Sequence, residues 1–190
     1  MSCGTSLHLH GMDPALDDDN ATKRVRAATT NSEVHVLNVS FNAISRLGAL
    51  LGSASNNNSS SSLSRLVVLN ISHNGIESLD GIERIGGTLR VLRAQSNKLR
   101  SLPDSSIMQK MSCLEELWIS RNYLSSPLSI VSSLVSLPAL EKLVMVHNPW
   151  KGTSPAFLKQ LTIGSLFSLR TLDGSRVSKA DRVRARDYLR

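Results

Sequence analysis

Aromatic side chains are scarce in this sequence. Three Phe, two Tyr and two Trp make up 4% of 190 residues, so an aromatic group forced toward solvent would be conspicuous. Cysteine is scarcer still: Cys3 and Cys113 are too few for a disulfide framework and have no metal-ligand spacing, which fits a reducing compartment. No apolar run approaches the roughly 18 residues a membrane helix needs. The opening MSCGTSLHLHGMDPALDDDN lacks the basic-then-apolar layout of a signal peptide, so the expected location is the cytoplasm, with no membrane contact. There is no Gly-rich phosphate loop, no G-x-S-x-G and no acid pair in one spot, and GIERIGG (81–87) lacks the strand and helix context of a dinucleotide site. No catalytic residue, cofactor or metal is therefore expected, and the chain reads as a non-enzyme.

What the sequence does have is a repeat. With 41% hydrophobic residues, the chain is long enough for one domain with a real core. The pattern L-x-x-L-x-L-x-x-N-x-L recurs as VHVLNVSFNAI (34–44), LVVLNISHNGI (66–76), LRVLRAQSNKL (89–99), LEELWISRNYL (114–124) and LEKLVMVHNPW (140–150), with a degenerate LRTLDGSRV (169–177) closing the series. Its asparagines, Asn42, Asn74, Asn97, Asn122 and Asn148, are spaced by 32, 23, 25 and 26 residues. A period in the twenties with this pattern is that of the leucine-rich repeat. The one long interval holds GSASNNNSSSS (52–62), a polar run with nothing to bury, expected as a surface insertion.

Strand alternation assigns the positions. The leucines of L-x-x-L-x-L point into a solenoid and the intervening residues point out of a short parallel sheet. One repeat cannot bury its apolar edge alone, so only stacking makes a core. The asparagine turns the chain out of the strand while its amide satisfies backbone groups of the turn. On the opposite side, DGIERIGG (80–87) suggests a 3₁₀ turn, and SSIMQKMSC (105–113) and LSIVSSLVSL (128–137) suggest helices. Pro103 and Pro127 sit where a helix would begin and Pro138 where one would stop.

The expected fold is α/β: a leucine-rich-repeat solenoid of about six repeats, with a concave parallel sheet, a mixed helical and irregular convex side and a C-terminal capping helix. Residues 1–30 are expected as a tail and cap, flexible over 1–12. The repeats occupy 31–177, and 178–190 form the capping helix, opened by a capping box from Ser178 to Asp181.

Outward positions of the successive strands read Val36, Asn38, Ser40; Val68, Asn70, Ser72; Val91, Arg93, Gln95; Glu116, Trp118, Ser120; Lys142, Val144, Val146; and Thr171, Asp173, Ser175. Trp118 stands out, because a large aromatic on a rigid concave sheet is the usual anchor of a protein interface. The expected partner-binding set is Trp118, Glu116, Arg93, Val91, Asn70, Lys142, Val144 and Arg121. The alternative is that Trp118 packs under a segment of its own chain. Trp150, at a final leucine position, is expected to fill the core. His35, His73 and His147 fall in different repeats. With strands ~4.8 Å apart, the last two would be roughly 14 Å apart, too far to share an ion. The net charge of +7 implies attraction to acidic partners, and the run from Arg176 carries Lys179, Arg182, Arg184, Arg186 and Arg190 against Asp181 and Asp187. That run is either a grip for an acidic partner or a solvated cap surface.

LEELWISRN (114–122), SLPALEKLVMVHNP (136–149) and LRTLDGSRV together resemble the compact leucine-rich repeats of outer-arm axonemal dynein light chain 1 and of the leucine-rich-repeat regulatory subunit of protein phosphatase 1. The string E-E-L-W-I-S from Glu115 to Ser120 is the part most similar to the dynein light chains. Two features depart from them: Trp118 is on the fourth strand instead of the third, and the Asn/Ser insertion is foreign to them.

The resemblance implies a monomeric, non-catalytic adaptor in a larger complex of a cilium or flagellum. Its concave Trp118, Glu116 and Arg93 would contact a dynein heavy chain or a microtubule-associated protein. A phosphatase catalytic subunit is the alternative partner. A role in an RNA–protein complex, like that of the spliceosomal A-prime leucine-rich-repeat protein, is disfavoured by a concave face with a single aromatic, where base stacking would want several.

Overall fold

The computed structural model describes residues 5–12, 17–29, 33–51 and 63–189, so the expected insertion at 52–62 lies outside the described residues. The elements in chain order are β1 (Thr5–His8), α1 (Asp18–Thr29), β2 (Val34–Asn38), α2 (Leu47–Leu50), β3 (Val68–Asn70), a 3₁₀ turn (Ile82–Arg84), β4 (Val91–Arg93), α3 (Ser105–Met108), β5 (Glu116–Trp118), α4 (Pro127–Leu134), β6 (Lys142–Val144), α5 (Pro155–Ser165), β7 (Thr171–Leu172), β8 (Ser175–Arg176) and α6 (Lys179–Tyr188). The strands form one sheet in sequence order, parallel from β1 to β7 and antiparallel between β7 and β8.

The leucine at the fourth position of each repeat sets the register. Leu7, Leu37, Leu69, Leu92, Leu117, Leu143 and Leu172 lie side by side across the sheet. From Leu37 onward they are buried, as are the flanking apolar positions such as Leu66, Ile71, Leu89 and Ile119. Each such side chain removed from water contributes on the order of 1.5–3 kcal/mol, which makes this ladder the main source of stability.

Each strand is short because its exit is fixed. Phe41, His73, Ser96, Arg121 and His147 take left-handed backbone, with φ of 58°, 54°, 56°, 54° and 59°. That turn swings the next residue, the repeat asparagine, inward. Asn97 shows the pattern: its Nδ2 donates to the carbonyls of Ala94 in its own coil (3.1 Å) and Ile71 in the preceding coil (2.9 Å), while its Oδ1 accepts from Ile76 N (3.0 Å). Asn74 and Asn122 repeat these bonds one coil earlier and later. The side-chain amides thus staple coil to coil, satisfying backbone groups that would otherwise be buried without partners.

The ends depart from expectation. Residues 5–12 are no tail where they are described: TSLHLHGM forms a further coil, with β1 on the edge of β2, Gly11 at the left-handed position (φ 54°), and Asn42 Nδ2 donating to Leu9 O (2.7 Å). Behind it α1 buries Ala21 and Val25. The Asp18 carboxylate accepts from Ser45 N and Arg46 N at 2.9 Å each, joining α1 to the first full repeat.

At the other end LRTLDGSRV is a hairpin. Asp173 and Gly174 have φ of 51° and 81°, so the parallel strand β7 stops after Leu172 and Ser175 returns antiparallel to it. Asp173 Oδ1 accepts from Met145 N (2.7 Å) and Val146 N (3.2 Å), occupying donors of the last full coil.

Sequence reasoning did not anticipate α5, whose N-cap Ser154 accepts from Phe157 N. Its end is held by Arg182 of α6, which donates to the carbonyls of Ile163, Leu166 and Leu169. The capping box of α6 is present as expected: Ser178 Oγ accepts from Asp181 N (3.1 Å), and Asp181 Oδ2 from Ser178 N (3.0 Å). The convex helices α3 and α4 are shorter than the apolar spacing suggested, and α4 begins at Pro127.

Candidate functional site on the concave sheet

Two rows of outward side chains run across the sheet. Register places Val36, Val68, Val91, Glu116, Lys142 and Thr171 in one row, and Asn38, Asn70, Arg93, Trp118 and Val144 in the other. The third outward position is not open in every coil. Ser40, Ser72 and Ser120 are buried, because their side chains lie where the strand bends into the asparagine turn. The hydroxyls of Ser40 and Ser72 donate to Asn38 Oδ1 (2.7 Å) and Asn70 Oδ1 (2.6 Å).

Trp118 is half-buried at the centre of the face, held between two cations. Lys142 Nζ lies 4.9 Å from the indole centroid and Arg93 Cζ lies 5.7 Å from it. Glu116 ties the group together, its Oε2 accepting from Trp118 Nε1 (3.3 Å) and pairing with Lys142 Nζ (3.3 Å). Each cation–π contact contributes about 0.5–1 kcal/mol at a partly exposed site, enough to bias the indole toward one orientation. Among the described residues Glu116 and Lys142 neutralise one another, which leaves the Arg93 guanidinium as the uncompensated charge beside the ring.

Of the residues singled out from the sequence, Trp118, Glu116, Lys142 and Arg93 are brought into contact. Val144 and Val91 complete the surround by register, half-buried beside Trp118 and Glu116. Asn70 adjoins Arg93, but its Oδ1 is committed to Ser72. Arg121 stands apart on the rim: it is exposed, occupies the left-handed exit, and its backbone N–H donates to Val146 O.

Two features of the rim escaped sequence reasoning. At the N-terminal end Phe41, 50% exposed, stacks on His73 with centroids 4.0 Å apart, and His10 meets it edge-on at 5.0 Å. The shared place of Phe41 and His73 in the repeat, one residue before Asn42 and Asn74, was the available signal. At the C-terminal end a cavity of about 420 Å³ opens among Met145, His147, Trp150, Leu158 and Asp173. Trp150 is half-buried there and packs against the edge of the core, where full burial was expected, because α5 leaves this gap beside it. Among the described residues no three His, Cys, Asp or Glu side chains gather to hold a metal ion, and no helix is long and apolar enough to cross a membrane.

No family model and no curated protein matches the sequence. Solved structures do match its fold. A chain of the Drosophila melanogaster SNF/U2A' complex is similar with a TM-score of 0.59 and 22% identity over 72% of this chain and 75% of that one. The internalin InlF of Listeria monocytogenes is similar at 0.57 and 20%, over 83% of this chain and 38% of its own. The functional domain of InlJ from Listeria monocytogenes is similar at 0.50 and 19%, over 81% and 29%. The chain is a leucine-rich-repeat solenoid, and the likeness carries the fold alone.

Proposed function

We propose that this chain is a non-catalytic adaptor that holds another protein on its concave sheet, with Trp118 as the central contact. The observation that carries this is the half-exposed indole fixed between Arg93 and Lys142 on a rigid sheet. A pre-positioned aromatic beside an arginine is the composition of interface hot spots, and its side-chain entropy is already spent in the free protein.

The partner that the string Glu115–Ser120 favours is a dynein heavy chain or a microtubule-associated protein, which would put the chain in the axoneme of a cilium or flagellum. A further reading, a component of an RNA–protein complex, is allowed by the basic net charge of +7. A phosphatase catalytic subunit is the other candidate for the same face.

Affinity capture with the wild-type chain and Trp118→Ala separates these. Recovery of dynein heavy chain or tubulin, lost with the alanine variant while its far-UV spectrum is unchanged, supports the favoured partner. Recovery of a phosphatase or of RNA-dependent proteins instead replaces it. Equal recovery by both chains overturns the concave site.

A further inference from the structure

The charge of this chain is concentrated at one end. Up to position 149 there are 13 Lys and Arg against 12 Asp and Glu, and from 150 onward 9 against 3, so the last 41 residues hold +6 of the net +7. Several of these groups are already engaged: Lys159 with Asp181, Arg186 with Asp187, and Arg182 with the carbonyls that end α5. The side chains of Arg176, Lys179 and Arg184 have no ion pair or hydrogen bond among the described residues.

Beside Arg176 the surface is apolar where water reaches it. Phe167 is 85% exposed, the most exposed large hydrophobic side chain among the described residues, and Val183 on α6 is 48% exposed. Phe167 stands at the lip of a hollow of about 470 Å³ whose other walls include Arg170, Arg176 and Arg182. The sheet also ends here: β8 is its last strand and both of its residues are exposed.

We propose that this C-terminal end is a second docking surface, separate from the Trp118 face, for an acidic polypeptide segment that seats an apolar side chain against Phe167. The excess of unpaired cations selects the sign of the partner. A polypeptide fits better than a nucleic acid because arginine with an exposed aromatic is the composition of protein interfaces, and Asp173, Asp181 and Asp187 break any continuous cationic track for a phosphate backbone. One apolar residue over the hollow gives a seat for a side chain, where a strand of bases would need a row of aromatics.

The test is fluorescence anisotropy of the full chain with a fluorescein-labelled twelve-residue peptide of repeating Glu-Glu-Leu-Glu, run beside labelled oligo-U RNA and phosphatidylserine vesicles. The peptide is expected to bind more tightly than either competitor. Phe167→Ser should weaken it about fivefold or more, and the pair Arg176→Glu with Arg184→Glu about tenfold or more. All three positions are exposed, so unchanged melting temperatures are expected and are checked. Trp118→Ala should leave peptide binding intact, which keeps this surface distinct from the concave site. Peptide affinity unaffected by the Phe167 or arginine changes, or tighter binding of RNA or vesicles, overturns the proposal.

Discussion

Lys142 Nζ sits 4.9 Å above the indole of Trp118 and at the same time 3.3 Å from Glu116 Oε2. The lysine therefore serves two neighbours, and reversing its charge removes both contacts. Lys142→Glu sets two carboxylates side by side, Glu116 and the new one, and is expected to weaken partner binding tenfold or more, by an order-of-magnitude argument from charge reversal at an interface. Because Lys142 lies on the outer face of β6 while Leu143 carries the core contact, the variant should stay folded and lose only about 1–2 kcal/mol of stability, from the missing cation–π contact and ion pair.

The asparagine staples make a sharper prediction about stability. Asn97 is buried and its amide and carbonyl serve four backbone groups in two coils. Asn97→Ala leaves those groups unsatisfied and should lower unfolding free energy by about 2–3 kcal/mol, read from a urea titration. Lys98→Ala, one residue on and exposed, should stay within about 0.5 kcal/mol of the parent.

Adjacent glycines give a paired control. A Cβ on Gly86 would meet Lys110 O at 2.8 Å and Met111 Cγ at 3.2 Å, whereas a Cβ on Gly87 would meet nothing within 4 Å. Gly86→Ala should destabilise by about 1–3 kcal/mol through overpacking against backbone, and Gly87→Ala should not. Thermal melts of the two single variants check this.

Acid should loosen the C-terminal cap first at its capping box. Hydrogen bonds from the Ser178 side chain and backbone pull the Asp181 carboxyl down from 3.8 to about 2. A carboxyl depressed in the folded state contributes stability that is complete above its unfolded value and lost as pH falls through the folded one. Between pH 3.8 and about 2 the α6 amides should therefore lose protection from hydrogen exchange, and Asp181→Asn should flatten that dependence. Asp18 shifts in the same direction: burial raises its carboxyl, but hydrogen bonds from Ser45 and Arg46 outweigh it, so the joint between α1 and the first repeat weakens over the same side of the scale.

How much of this was legible in the sequence depended on which interactions are periodic. The leucines and the asparagine keep fixed places within each repeat, so the sheet, its register and the neighbours of Trp118 could be read off directly. The first coil could not: TSLHLHGM keeps Leu7 and Leu9 but has Met12 where the others have asparagine, and its place is fixed by pairing to β2. The last coil carried its own signal in Asp173-Gly174, a hairpin dipeptide that the repeat pattern masked. Ser40 and Ser72 misled because alternation ends where the backbone turns, and there their hydroxyls bond to asparagine side chains. Phe41 and His73 belong to the left-handed exit, whose side chains follow neither the inward nor the outward row.

The most direct measurement is site-specific photocrosslinking in cells, with benzoylphenylalanine placed at Asn70 beside Arg93 on the concave sheet or at Leu128 on the exposed side of α4. A protein partner held on the concave face would be captured from position 70 and not from 128, and Trp118→Ala would abolish the capture. Equal capture from both positions, or capture from 70 that survives loss of the indole, would contradict the account.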